Sequence, residues 1–121
     1  MKTESRPVAF SDSRGSITDV LLGLPVEHVA LFTSRAGVSR GGHYHKESVA
    51  YIYVLSGSFQ FAARFEVGPT TTLIARAGDL ITIEPLERHS LVALEDSTFL
   101  MMTHGPDGGR QFVSDTVREA V

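Results

Sequence analysis

The stretch that decides the fold is Arg40-Gly41-Gly42-His43-Tyr44-His45-Lys46-Glu47-Ser48 (RGGHYHKES). It places two of the chain's five histidines one residue apart, behind a glycine pair. In an extended chain, side chains at i and i+2 share a face. A strand here therefore aims His43 and His45 the same way, and with a barrel interior on that side both imidazoles face one cavity. On HSLVAL (89–94), His89 is in phase with Leu91 and Ala93, so it points inward too. Two distant segments thus offer three inward histidines and an apolar lining.

The surrounding pattern supports strands. Short apolar segments rich in Val, Ile, Phe, Tyr and Thr recur between turn residues. ITDVLLGLP (17–25) and EHVALFTSR (27–35) come first, then AGVSRGG (36–42) and a long run of such segments from Ser48 to Gly109. SGS (56–58) and ARAGDL (75–80) read as tight turns, and GPDGG (105–109) as turn chemistry without the setting of a phosphate loop. Many strands and little helical periodicity predict a sandwich or barrel. The one helix candidate is the tail SDTVREAV (114–121).

Bulk properties bound the function. A chain of 121 residues, 42% hydrophobic and 21% charged, suits one globular domain spanning 1–121. The net charge is −3 and no basic run is present, which argues against nucleic acid as a partner. Without cysteine there is no disulfide, thiolate metal site or Cys nucleophile. The opening MKTESRPVAF lacks the apolar core of a signal peptide, and no apolar run approaches the roughly 18 residues of a membrane helix. The expectation is a soluble, cytoplasmic protein with a small-molecule ligand and no membrane partner.

His43, His45 and His89 are candidate metal ligands, because neutral imidazoles converging from a rigid frame suit Zn, Fe, Mn, Ni or Cu. Burying three imidazoles without a task is costly. His28 and His104 lack spaced partners and read as ordinary strand residues. Glu47 lies two residues past His45 and reads as a solvated loop charge beside Lys46, with the cavity as its alternative. Tyr44, Tyr51 and Tyr53 read as strand residues. Arg40, beside the glycine pair, can fork onto phosphate or carboxylate. No GxSxG elbow is present.

These residues resemble the cupin superfamily, whose all-β fold is a jelly-roll barrel or double-stranded β-helix. The first cupin motif, G-x5-HxH-x3 or 4-E-x6-G, reads here as Gly37, His43-Tyr44-His45, Ala50 and Gly57. The second, G-x5-PxG-x2-H-x3-N, reads as Gly78, Pro85 one place late, Glu87 where that shifted frame has glycine, His89, and Ala93 for asparagine. Ala50 replaces a usual metal-ligating glutamate, so a divalent metal (Zn, Fe, Mn or Ni) would have only the three histidines and be held more weakly.

FSDSRGSITDV (10–20) and RGGHYHK resemble cupins of bacterial surface-sugar synthesis, including dTDP-4-keto-6-deoxyglucose ketoisomerases and the cupin domain of capsule-synthesis reductases. That resemblance implies His43 and His45 as acid/base groups on a nucleotide sugar, with Arg40 steadying a diphosphate or an enolate. An imidazole titrating near 6.5 suits proton removal next to a carbonyl and its redelivery one carbon away. Three readings stand at this stage: a sugar isomerase or epimerase of polysaccharide or nucleotide-sugar metabolism, a metal-dependent cupin of dioxygenase or lyase type on three histidines, and a non-catalytic binder. Edge strands need cover, and with the family's habit of pairing such edges this predicts a homodimer.

Overall fold

The computed structural model describes residues 1–110 and 114–121. Its strands, in chain order, are β1 (Lys2–Ser5), β2 (Phe10–Asp12), β3 (Gly15–Ile17), β4 (His28–Ser34), β5 (Ser39–His45), β6 (Val49–Ser56), β7 (Ser58–Arg64), β8 (Thr71–Arg76), β9 (Asp79–Ile83), β10 (Arg88–Ala93), β11 (Ser97–His104) and β12 (Thr116–Arg118). A 3-10 turn, Pro106–Gly109, covers GPDGG. One sheet has the order β1-β9-β6-β11-β4 and the other β12-β5-β10-β7-β8, with β2-β3 a separate hairpin. From β4 to β7, and again from β8 to β11, each strand lies in the opposite sheet from the last. This is the jelly roll expected from the sequence. The turns at 56–58 and 75–80 are therefore crossings between sheets rather than hairpins.

The core fills the space between the sheets. Period-two alternation sends Ala50, Ile52 and Val54 of β6 inward against Phe59 and Phe61 of β7, Ile81 and Ile83 of β9, Leu91 and Ala93 of β10, and Phe99 of β11. Burying each phenylalanine contributes roughly 2 kcal/mol. Phe99 also stacks on Phe32 of β4, with ring centroids 4.9 Å apart. This apolar plug closes one part of the barrel and leaves the space beside His43 open.

Two expectations need correction. ITDVLLGLP is not a strand beyond Ile17, which ends β3; residues 18–27 run irregularly. Pro25 lacks the N–H that a ladder needs. The segment's apolar side chains instead cover the outer face of the first sheet, where Val20, Leu21 and Val26 pack on Tyr51, Leu80 and Met102. The tail SDTVREAV is not a helix. Its Thr116–Arg118 portion forms β12, antiparallel to β5, with Thr116 opposite His45 and Arg118 opposite His43. Eight residues are too few to hold a helix alone, whereas the edge of β5 offers ready ladder partners.

Buried Asp115 clamps that pairing. Its carboxylate accepts from the Glu47 and Ser48 backbone N–H groups at 3.0 and 3.2 Å and from Ser48 Oγ at 2.5 Å. Asp115→Ala leaves buried donors unpaired and is expected to cost about 3 kcal/mol. Urea unfolding measures it, and a loss below about 1 kcal/mol would remove Asp115 from the clamp. Beyond β12, the Glu119 carboxylate accepts from Arg88 Nε and from Arg64 Nη2. The Arg88 guanidinium lies over the Tyr44 ring, 4.1 Å from its centroid. Tyr44 is thereby occupied on the outer side of β5.

Candidate functional site

Strict alternation would put Arg40 and His43, three residues apart, on opposite faces. The glycine pair prevents this. Pairing of β10 with β5 steps from Ser90–Gly41 to His89–His43, so Gly42 is left out as a bulge. Gly41 and Gly42 both have positive φ, 90° and 70°. A Cβ on Gly41 would sit 2.7 Å from the His89 carbonyl oxygen, so only glycine allows the strands this close. The bulge resets the phase. Arg40 pairs with inward-facing Leu91, and Arg40 and His43 line the same cavity.

His43, His45 and His89 meet inside the barrel. Ring centroids are 4.9 Å apart for His43–His45, 4.7 Å for His43–His89 and 5.3 Å for His45–His89. One nitrogen from each lies within 4.8 Å of the other two. His89 Nδ1 is 2.9 Å from the Glu87 carbonyl oxygen. A carbonyl only accepts, so Nδ1 donates and the Nε2 lone pair faces the cluster. His45 Nδ1 lies 3.2 Å from Thr116 Oγ1 on β12. His43 Nδ1 and His45 Nε2 are buried without a hydrogen-bond partner among the described residues.

Burial, reinforced by mutual repulsion among the imidazolium forms, pushes His43 down to about 3 and His45 down to about 4. Burial lowers His89 as well, against the opposing pull of the Glu87 carbonyl. All three are neutral at pH 7, and His43 and His45 are weaker bases than the imidazole titrating near 6.5 that the sequence predicts. In the unfolded chain each titrates near 6.5, so as pH falls below that the unfolded state takes protons that the folded site refuses. Stability is expected to hold above about pH 7 and to fall steadily as pH drops from about 6.5 towards 4. Thermal melts of metal-free protein across that range check it. A variant with all three histidines changed to Gln should show a shallower slope, and an unchanged slope would contradict the assignment.

The cavity beside the cluster measures about 530 Å3. Phe32, Ile52, Phe99 and Met101 form its apolar floor, while Arg40, Arg118, His43 and His89 supply its polar groups. His45, only 2% exposed, stands behind the surface that a ligand would touch. Arg40 is held in place: Nε donates to Ser34 Oγ and Nη2 to the Thr33 carbonyl oxygen, both at 2.9 Å, and its guanidinium lies 5.4 Å from the Phe32 ring centroid. Arg118 donates from Nη1 to the Gly41 carbonyl oxygen at 3.1 Å. Reading the tail as a helix hid Arg118; the Thr116/Arg118 alternation next to a buried aspartate was the available signal.

The remaining candidates lie elsewhere. Glu47 is an exposed loop residue, absent from the imidazole cluster. Ala50 faces the core at the motif's glutamate position, so among the described residues the cluster contains histidines alone. His104 pairs with Glu27 at 2.6 Å, and His28 begins β4 outside the cluster. In the β9–β10 turn, Leu86 rather than Glu87 has positive φ, 69°, directly after Pro85, and Glu87 N–H closes onto the Glu84 carbonyl. Glu87 fits at its position because its buried carboxylate accepts from the Met1 ammonium and from Glu84 N–H.

Residues 10–115 match the family model described as the polysaccharide biosynthesis C-terminal domain. The chain belongs to that family. Its fold is that of the sugar-synthesis cupins. The sugar 3,4-ketoisomerase QdtA from Thermoanaerobacterium thermosaccharolyticum, solved with TDP, superposes with a TM-score of 0.79 at 15% identity, over 98% of this chain and 87% of that one. The dTDP-4-dehydrorhamnose 3,5-epimerase from Sulfolobus tokodaii gives 0.70 at 25% identity, over 92% of this chain and 72% of that one. The capsular polysaccharide assembling protein CapF from Staphylococcus aureus gives 0.65 at 20% identity, with this cupin covering 97% of itself and 33% of CapF. No curated protein matches the chain in sequence. No helix among the described residues is long and apolar enough to cross a membrane.

Proposed function

We propose that this cupin is a nucleotide-sugar isomerase or epimerase of polysaccharide synthesis. The observation that carries the reading is that His43 and His89, neutral and 4.7 Å apart, line one cavity with Arg40 and Arg118. Such a site suits a keto sugar. A neutral imidazole takes the proton from the carbon next to the carbonyl, and the C–H electrons form an enediolate. The proton returns to the former carbonyl carbon while the hydroxyl proton crosses to the other oxygen. Arg40 and Arg118 offer positive charge where the enediolate, or a diphosphate, carries negative charge. His45 stands behind this pair, out of the cavity wall. The relatives described as ketoisomerases and epimerases support the reaction class.

The test is incubation with dTDP-4-keto-6-deoxyglucose in D2O with a chelator present, read by NMR. Deuterium uptake beside the carbonyl, with or without net rearrangement, is expected. No exchange on any of a panel of nucleotide-linked keto sugars would overturn the reading.

One observation favours a second reading, a divalent metal on His43, His45 and His89. The residues present fit one: His43 Nδ1 and His45 Nε2 are orphaned, and the outer nitrogens of His45 and His89 are held by Thr116 and the Glu87 carbonyl, as ligating histidines commonly are. Bound there, the ion would polarise a carbonyl or hydroxyl oxygen. Elemental analysis of untagged protein, purified without chelator, tests this reading. Near-stoichiometric metal that disappears in His45→Ala supports it, and a metal-free folded chain sinks it.

A further inference from the structure

A second cavity of about 500 Å3 abuts the first, and Arg40 lines both. It lies where the ends of β4, β6 and β11 meet the β4–β5 connection. Hydroxyls dominate its wall, from Thr33, Ser34, Ser56 and Thr98. Arg40 is fastened to that wall, since Ser34 Oγ and the Thr33 carbonyl are its two hydrogen-bond acceptors. The other cation is Arg35, exposed and with no ion pair or side-chain hydrogen bond among the described residues. The carboxylate in the wall, Asp96, is engaged by the Ala36 N–H at 2.9 Å.

The segment carrying Arg35 is fixed rather than loose. Ala36 N–H donates to Asp96, Gly37 N–H to the Ala93 carbonyl, Val38 N–H to the Arg35 carbonyl, and Ala93 N–H back to the Val38 carbonyl. A guanidinium on so constrained a backbone, lining a hydroxyl-rich hollow that it shares with pinned Arg40, has the donor set for a tetrahedral oxyanion. Among the described residues no other group takes up its hydrogen-bonding capacity.

We propose that this second cavity is a phosphoryl subsite, in which Arg35 and the surrounding hydroxyls hold a phosphate of a ligand whose sugar reaches past Arg40 to the imidazoles. The inference rests on the sugar reading for the ligand's other half, but not for the subsite itself. Arg35 is then a specificity-determining residue: it favours phosphorylated ligands over free sugars and takes no part in proton transfer.

The probe is inorganic pyrophosphate, titrated calorimetrically into the parent, Arg35→Gln and Arg35→Lys at low and high salt. About ten-fold weaker binding in Arg35→Gln is expected, with partial recovery in Arg35→Lys and weakening with salt. Unchanged melting temperatures show that neither variant acts through folding. Equal affinity in parent and Arg35→Gln, or no pyrophosphate binding by the parent, overturns the subsite. Pyrophosphate binding that depends on Arg35, in a protein that exchanges no keto-sugar proton, keeps the subsite and discards the isomerase. With a turned-over nucleotide sugar, Arg35→Gln should raise KM about ten-fold and leave kcat within two-fold; an equal fall in kcat contradicts the assignment.

Discussion

Gly41→Ala is expected to cost about 4 kcal/mol and to take the site apart. Two effects add. A φ of 90° is a conformation that an alanine rarely adopts, at roughly 1–3 kcal/mol. The new methyl would also meet backbone on β10, 2.7 Å from the His89 carbonyl oxygen and 3.0 Å from Ser90 Cα, and neither atom can swing aside. Forcing the strands apart to admit it costs a similar amount. Against a typical total of about 5–15 kcal/mol, that is a large share. The neighbouring Gly42→Ala is the control. Its φ is 70° and its Cβ would meet nothing within 4 Å, so only about 1–2 kcal/mol is expected. Urea unfolding of both variants decides it. Equal losses would mean that the close approach of β5 to β10 does not govern this position.

The second large effect is on turnover. His43→Ala and His89→Ala are each expected to lower the rate of keto-sugar exchange by about 10²–10⁴-fold, the range for loss of a positioned acid or base. The double variant should be little worse than either single one, because residues acting as a unit lose their effect together. His45→Ala should cost less, as His45 stands behind the cavity wall. The order matters more than the sizes. Were His45→Ala the most damaging and His89→Ala harmless, the adjacent HxH pair would be the working pair and the geometry would have misassigned it. Collapse of the rate in all three variants together with loss of bound metal would favour the ligand reading.

Much of this was legible in the chain itself. Period-two apolar alternation marked the strands of the core, and it placed His89 in phase with Leu91 and Ala93 before any pairing was known. The HxH spacing put His43 and His45 on one face, and two motifs with a sensible gap implied the jelly roll. The substitution of Ala50 was visible too, and the structure sets it on the inner face within the apolar core cluster.

Other features depended on contacts between distant segments. The sequence alone aims Arg40 away from His43, since three residues of strand reverse a side chain; the bulge at Gly41–Gly42 is defined only by the partner strand β10. The tail reads as a weak helix in isolation, and becomes β12 because the β5 edge and Asp115 are there to receive it, which brings Arg118 to the cavity. ITDVLLGLP is apolar for the sake of a sheet face it covers, not a ladder it joins. Local sequence determines periodicity and turn chemistry, which are properties of neighbours along the chain. Register, bulges and the choice of which imidazoles meet a ligand are set by long-range packing, and these were decided only when the two sheets closed on each other.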